Sequence, residues 1–287
     1  MSGGAVVRSF AKRHSLVLTP ILRSLSVPIR SLANAMSACD DAYSKLDEKA
    51  LSDPAIGILL TMLHRNFEHA EAAIVTFSTG NGSSAEVVAR AASEASVVIL
   101  YILAGDRVAR MRAHLEHYFS GVDDQVRRWK CEIEKLPREA MDLHDRCAEQ
   151  RKNSNNAMRT AMRRVLGAPT ESWPKQVAAR FDQVGLGIDY RTVYARLGSE
   201  THADAEETVR FVLGKIHGDS KVLEAMALET TYFSLYLVHY SVLLFLQAAR
   251  AYATSYALTG CVDIIAKAVS NVESEILKLI PLMGAGA

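Results

Sequence analysis

Apolar residues recur at intervals of three and four along most of this chain. No other feature constrains it as much, because residues at that spacing share one face of an α-helix. Leu59, Leu63, Phe67, Ala70, Ile74 and Phe77 form one such stripe, opened by Ser52-Asp53-Pro54, a cap followed by a first-turn proline. Thr79-Gly80-Asn81-Gly82-Ser83-Ser84 ends that helix and caps another, from about Ala85 to Leu103, with Val88, Ala91, Ala95, Val98 and Ile102 on one face. Val122, Val126, Trp129, Ile133 and Leu136 repeat the pattern until Pro137 interrupts it. Two long helices, about Lys221 to Ala257 and Val262 to Leu279, finish the chain. Only seven prolines and sixteen glycines punctuate 287 residues, and no strand-like alternation persists. The expected fold is all-α, a multi-helix bundle with a charged helical excursion.

That excursion runs over about 106–166, where polar faces lengthen and Asn153-Ser154-Asn155-Asn156 reads as a break. The spacing predicts a projecting helical hairpin closed by Gly167 and Pro169. A shorter helix follows Ser172-Trp173-Pro174 and stops at Gly185 and Gly187. Residues 45–287 are thus expected to form a single helical domain carrying this insertion. Residues 1–44 are expected to form a basic N-terminal arm or short helix. The first 39 residues hold Arg8, Lys12, Arg13, Arg23 and Arg30, seven serines and no acid, a composition shared with organelle transit peptides.

A net charge of +1 gives no global attraction to nucleic acid or membrane, so binding of either must rest on a local patch. Thr231 to Ala249 is nineteen residues without a formal charge, close to a membrane-spanning length. Its His239, Gln247, tyrosines and serines favour the central helix of a bundle, and no stable membrane insertion is expected. Cys39, Cys131, Cys147 and Cys261 lie far apart with no C-x-x-C pair, which suits a reducing cytoplasm better than a disulfide framework. Cys131 and Cys147 are expected at buried or half-buried helix positions. No zinc pattern, glycine-rich phosphate loop, G-x-S-x-G elbow or H-E-x-x-H is present, so neither a metal nor a cofactor is expected.

Two segments concentrate the chemistry. Arg90 and Glu94, at i and i+4, leave one helix face among Ala89, Ala91, Ala92, Ala95, Val97 and Val98. A charged pair in so apolar a setting is either an ordinary surface pair or a half-buried one with a third partner. Tyr190 and Tyr194 form a second i, i+4 pair, and Arg196, Gly198, Ser199 and His202 follow. Gly198 is positioned to end the helix and Ser199 to cap what comes next, which leaves His202 just past a helix end. An arginine beside a histidine suits metal-free phosphodiester cleavage, the guanidinium gripping phosphate while the imidazole moves a proton. The same residues could simply hold a turn by pairing with Glu94 or Glu200. His114 and His117 at i, i+3, and His64 near Glu68 and His69, read as solvated helix faces, and His239 as a satisfied core histidine. Arg151, Lys152, Arg159, Arg163 and Arg164 form a basic run that reads as half-solvated helix.

ARAASEASVVILYIL (Ala89 to Leu103) resembles the first signature of the bacterial family known as domain of unknown function 5677, an arginine and a glutamate leading into an apolar helix. SWP followed by YRTVYARLGSETH (Tyr190 to His202) resembles its second, a Tyr-x-x-Tyr helix running into a Ser-x-x-His turn. The resemblance covers roughly residues 45 to 260. It implies a helical protein without an assigned activity. The arginine/histidine turn is also similar to the motif of HEPN ribonucleases, metal-independent dimers of toxin–antitoxin and phage-defence systems. By that resemblance Arg196 would bind the scissile phosphate of RNA and His202 would serve the 2′-hydroxyl or leaving group. Arg90, Glu94, Tyr190, Tyr194 and Ser199 would support them. The chain departs from the HEPN pattern at Leu197, where a polar residue is usual. Two functions follow: an RNA-cleaving homodimeric effector, or a non-enzymatic helical binding or scaffold module with a buried Arg90–Glu94–Tyr194–His202 network. In either case, the two segments should meet.

Overall fold

Twenty-five residues of one helix and twenty-two of the next, joined by a three-residue turn, set the frame of the molecule. The computed structural model describes residues 3–194, 212, 215, 216 and 220–283. Its elements are α1 (Gly3–Arg13), α2 (Pro20–Ser24), α3 (Ser26–Tyr43), α4 (Glu48–Leu51), α5 (Pro54–Ser78) and α6 (Gly82–Leu103). They continue with α7 (Arg107–Ile133), α8 (Arg138–Leu166), α9 (Val177–Gln183), the single turn α10 (Gly187–Asp189), a π-helical turn at Tyr190–Tyr194, α11 (Ser220–Ser255) and α12 (Thr259–Met283). There is no strand among the described residues. The fold is an all-α, multi-helix bundle.

Local chemistry starts the helices where the sequence places them. Asp53 caps α5 by accepting from the Ala55 amide at 2.9 Å, with Pro54 in the first turn, where its missing N–H costs nothing. Asn81 accepts from the Ser84 amide at 3.2 Å and begins α6. Asp106 takes two amides, Val108 and Ala109, both at 3.0 Å, and begins α7.

Small residues then allow close approach. Ala70 and Ala73 of α5 and Ala85, Ala89 and Ala92 of α6 are all fully buried. A buried polar pair crosses that seam, where Asn66 donates Nδ2 to Ser96 Oγ at 2.7 Å. Helix α11 is the hub, packed on α3, α5, α6 and α12. It is apolar on nearly every side, so only burial on every side satisfies it. Ala227–Ser255 is long and apolar enough to cross a membrane, yet 78% of that window is buried by the other helices. His239, 2% exposed, is bonded through Nδ1 to the Leu235 carbonyl at 2.8 Å, a core histidine with its need met.

Helices α7 and α8 form the charged hairpin, with a small core of its own from Val122, Val126, Ile133 and Ala148. The expected break at Asn153–Asn156 is absent, and α8 runs straight through it. Asn155 is fully buried and donates Nδ2 to the Phe119 carbonyl (2.9 Å) and to Asp123 Oδ1 (2.7 Å), so this asparagine joins the two helices of the hairpin. Arg159 and Arg163 pair with Glu116 and Asp123 across the same seam, which takes them out of any basic patch.

Of the two forms expected for the N-terminal segment, an arm or a short helix, the segment takes the helical one. It folds as α1–α3, and Phe10, Leu22, Leu25, Ile29 and Leu32 enter the main core against α12 and α11. Cys131 and Cys147 are exposed, against expectation, because α7 and α8 turn those positions away from the hairpin's small core. Cys39 of α3 and Cys261 of α12 are buried with sulfurs 3.8 Å apart.

Candidate functional site

Helix α6 carries Arg90 and Glu94 half-buried on a face that also presents the fully buried Val97. Val97 forms a small core with Phe181 of α9 and Tyr194 of the π-helical turn. The chain reaches that turn by reversing at Gly185, whose φ of +78° is a left-handed conformation that side chains resist. Tyr190 and Tyr194 then stack on one another at 5.4 Å, and both rings pack on Phe181, at 5.4 and 5.0 Å.

This packing aims the Tyr194 hydroxyl at Glu94. It donates to Oε2 at 2.7 Å across a separation of one hundred residues. Arg180 donates Nη2 to the other oxygen, Oε1, at 3.1 Å, and Nη1 to the Pro174 carbonyl at 2.9 Å. Arg90 and Glu94 do not pair with each other; the Arg90 guanidinium lies 4.5 Å from the centre of the Tyr194 ring, a cation–π contact. The two halves of the sequence pattern therefore touch. Burial, and then the bond to Glu94, push the Tyr194 phenol up to about 12, so it stays a protonated donor across the physiological range.

The chain belongs to the family of unknown function DUF5677. That family's model matches residues 57–219, more than half of the chain and a narrower span than the 45–260 expected from the motifs. The chain matches no curated protein and no solved structure. The DUF5677 span contains α6, the hairpin, α9 and the Tyr190–Tyr194 turn, and so all the partners that converge on Glu94.

Among the predicted site residues, Arg90, Glu94, Tyr190 and Tyr194 come together, while Arg196, Ser199 and His202 lie outside the described residues. Arg180 is the residue that sequence reasoning missed. Its side chain is 6% exposed, and only an acidic partner makes such burial tolerable. The available signal was the arginine in the short apolar run Val177-Ala178-Ala179-Arg180-Phe181, together with the expectation that Arg90 and Glu94 had a third partner. The SWP segment gains a role as well. Trp173 is buried with the Arg180 guanidinium 5.5 Å from its ring, and Pro174 supplies the carbonyl that Arg180 binds.

Behind Trp173 stands His114, ring to ring at 4.7 Å, not on a solvated face as its i, i+3 spacing with His117 suggests. Burial first, then the nearby Arg180 and His117 charges, lower its pKa to about 4, so it is a neutral part of the packing at neutral pH. His117 itself is exposed. Among the described residues, no three His, Cys, Asp or Glu side chains converge as a metal site would require.

Proposed function

We propose that this DUF5677 protein is a non-enzymatic helical binding module, in which Glu94 clamps α9 and the Tyr190–Tyr194 turn onto α6. The clamp presents the chain that follows Tyr194 to a partner. One observation carries this reading: both Glu94 oxygens are committed, Oε1 to Arg180 and Oε2 to Tyr194. A carboxylate held that way is poorly placed to accept a substrate proton, and Arg90 is likewise engaged by the Tyr194 ring. Two arginines, one carboxylate and a phenol in one network make a device that holds the Tyr190–Tyr194 turn against α6.

A second reading, a HEPN-like metal-independent ribonuclease acting as a homodimer, is supported by where the clamp lies. Glu94 keeps 39% of its side chain exposed, and Arg196, Ser199 and His202 follow Tyr194 by only two, five and eight residues. In that case Arg196 holds the scissile phosphate and His202 moves the proton.

Incubation of the protein with structured and single-stranded RNA in EDTA separates the two readings. The module leaves RNA intact in wild type and in His202→Ala. RNA cleavage that is abolished in His202→Ala, with the melting temperature unchanged, overturns the module and establishes the nuclease.

A further inference from the structure

Away from Glu94, the N-terminal helices and the last helix enclose a groove of about 520 Å³ between α1, α3 and α12. Its volume is in the range of small-molecule sites. Its lining divides by chemistry. Val6, Val27 and Ala268 make an apolar floor with the exposed Ile264 at its rim, and Ser31, Asn34 and Asn271 offer hydroxyl and amide groups along it. Arg30 and Lys267 supply positive charge from opposite helices.

Arg30 also lines a second groove of about 410 Å³, where Arg8 and Arg23 join it, so its side chain stands between the two concavities and borders both. Its Nε is anchored on the Ser26 carbonyl at 3.1 Å, and the rest of the fork is left to serve the grooves. The one acid in the linings, Glu275, is already paired with Lys278 at 2.7 Å. Arg8, Arg23, Arg30 and Lys267 form no ion pair among the described residues. Four cations thus border two adjacent grooves whose linings contain a single carboxylate, itself paired with Lys278. All of these lining residues lie outside 57–219, so the groove is built by the parts of this chain that flank the DUF5677 span.

We infer that this groove binds a phosphate ester of nucleotide size. The organic part would lie on the floor between Val27 and Ala268, with Asn34 and Asn271 reading its polar edge. The phosphates would be held by Arg30 and Lys267, with Arg8 and Arg23 beyond them. Arginine suits the task because its planar fork meets phosphate oxygens two at a time. The apolar floor separates this ligand from a bare polyanion, which would use the cations and leave the floor wet.

Calorimetric titration of the full chain tests this, with ATP, adenosine and inorganic triphosphate as probes, for wild type, Lys267→Gln and Arg30→Gln/Lys267→Gln. Lys267 is exposed, so its replacement keeps the test valid should the double variant fail to fold. The expected result is that ATP binds more tightly than either of its halves and that each variant weakens it, the double variant by about tenfold or more. Absence of ATP binding, or ATP affinity unchanged in Lys267→Gln, overturns the proposal. Triphosphate binding as tightly as ATP also overturns it, because the site is then a patch of charge without a nucleotide pocket.

Discussion

Glu94 and Tyr194 are joined by a 2.7 Å hydrogen bond that ties α6 to the π-helical turn. The bond holds the chain leaving Tyr194 to a fixed starting point on the bundle.

Substitution of Tyr194 by Phe removes the donor and keeps the ring, and should cost about 1–2 kcal/mol, since the exposed edge of Glu94 can recover water. Glu94→Ala should cost more, about 3 kcal/mol, because it strands Arg180 as a buried charge. The double variant should melt well above the sum of the two losses, since both act on one network. Strict additivity in thermal melting would show that the clamp does not act as a unit. The raised Tyr194 pKa adds an alkaline limb. The stability it contributes is complete below pH 10.0, the unfolded value, and is lost as the pH rises through about 12. Tyr194→Phe should lessen the alkaline loss without abolishing it, because burial also raises the phenols of Tyr236, Tyr240, Tyr252 and Tyr256.

His114 should make the protein acid-sensitive. Its pKa is 6.5 unfolded and about 4 folded, so the unfolded chain takes up a proton that the folded chain refuses. Stability is therefore full above pH 6.5 and falls as the pH drops toward 4, by up to about 3 kcal/mol. His239, also lowered by burial, acts in the same direction. His114→Phe keeps an aromatic ring against Trp173 and cannot titrate. Urea unfolding of this variant and wild type at pH 7 and pH 5 should show the smaller decline in the variant, and equal declines would count against the assignment.

Asn155 should govern the hairpin alone. Asn155→Ala removes both cross-helix bonds at a cost of about 1–3 kcal/mol. Asn155→Asp should cost more, since it sets a carboxylate against Asp123, whose own carboxyl is held below its ordinary range by Arg159 and then Asn155. Amide hydrogen exchange should rise across α7 and α8 while α5 and α6 stay protected. Loss of protection throughout would mean the hairpin is not a separate cooperative unit.

The thiols should divide into two pairs. Cys131 and Cys147 are exposed and should react with an aromatic disulfide reagent in the native protein. Cys39 and Cys261 should react only after denaturation, because both are buried and the bond to Cys261, then burial, raise the Cys39 thiol above its ordinary value. Four fast thiols in the native state would contradict the buried contact.

The all-α class, the ends of α5 and α6, the hairpin and the two closing helices were legible in the chain by itself, because each depends on neighbours three or four residues away. Helical periodicity, Asp53 before Pro54 and Asn81 after Gly80 are local signals and act locally. The meeting of Arg90 and Glu94 with Tyr194 was legible only as a resemblance of two motifs. Arg180 and the distinction between Asn155 as a break and Asn155 as a bridge were decided by tertiary structure. The reason is physical: burial sets whether a polar side chain needs a partner, and only packing brings a partner to 3.1 or 2.9 Å across 86 or 36 residues of chain. The groove at Arg30 and Lys267 is the extreme case. Its two walls lie more than two hundred residues apart in sequence, and neither announces a site until α3 and α12 come together.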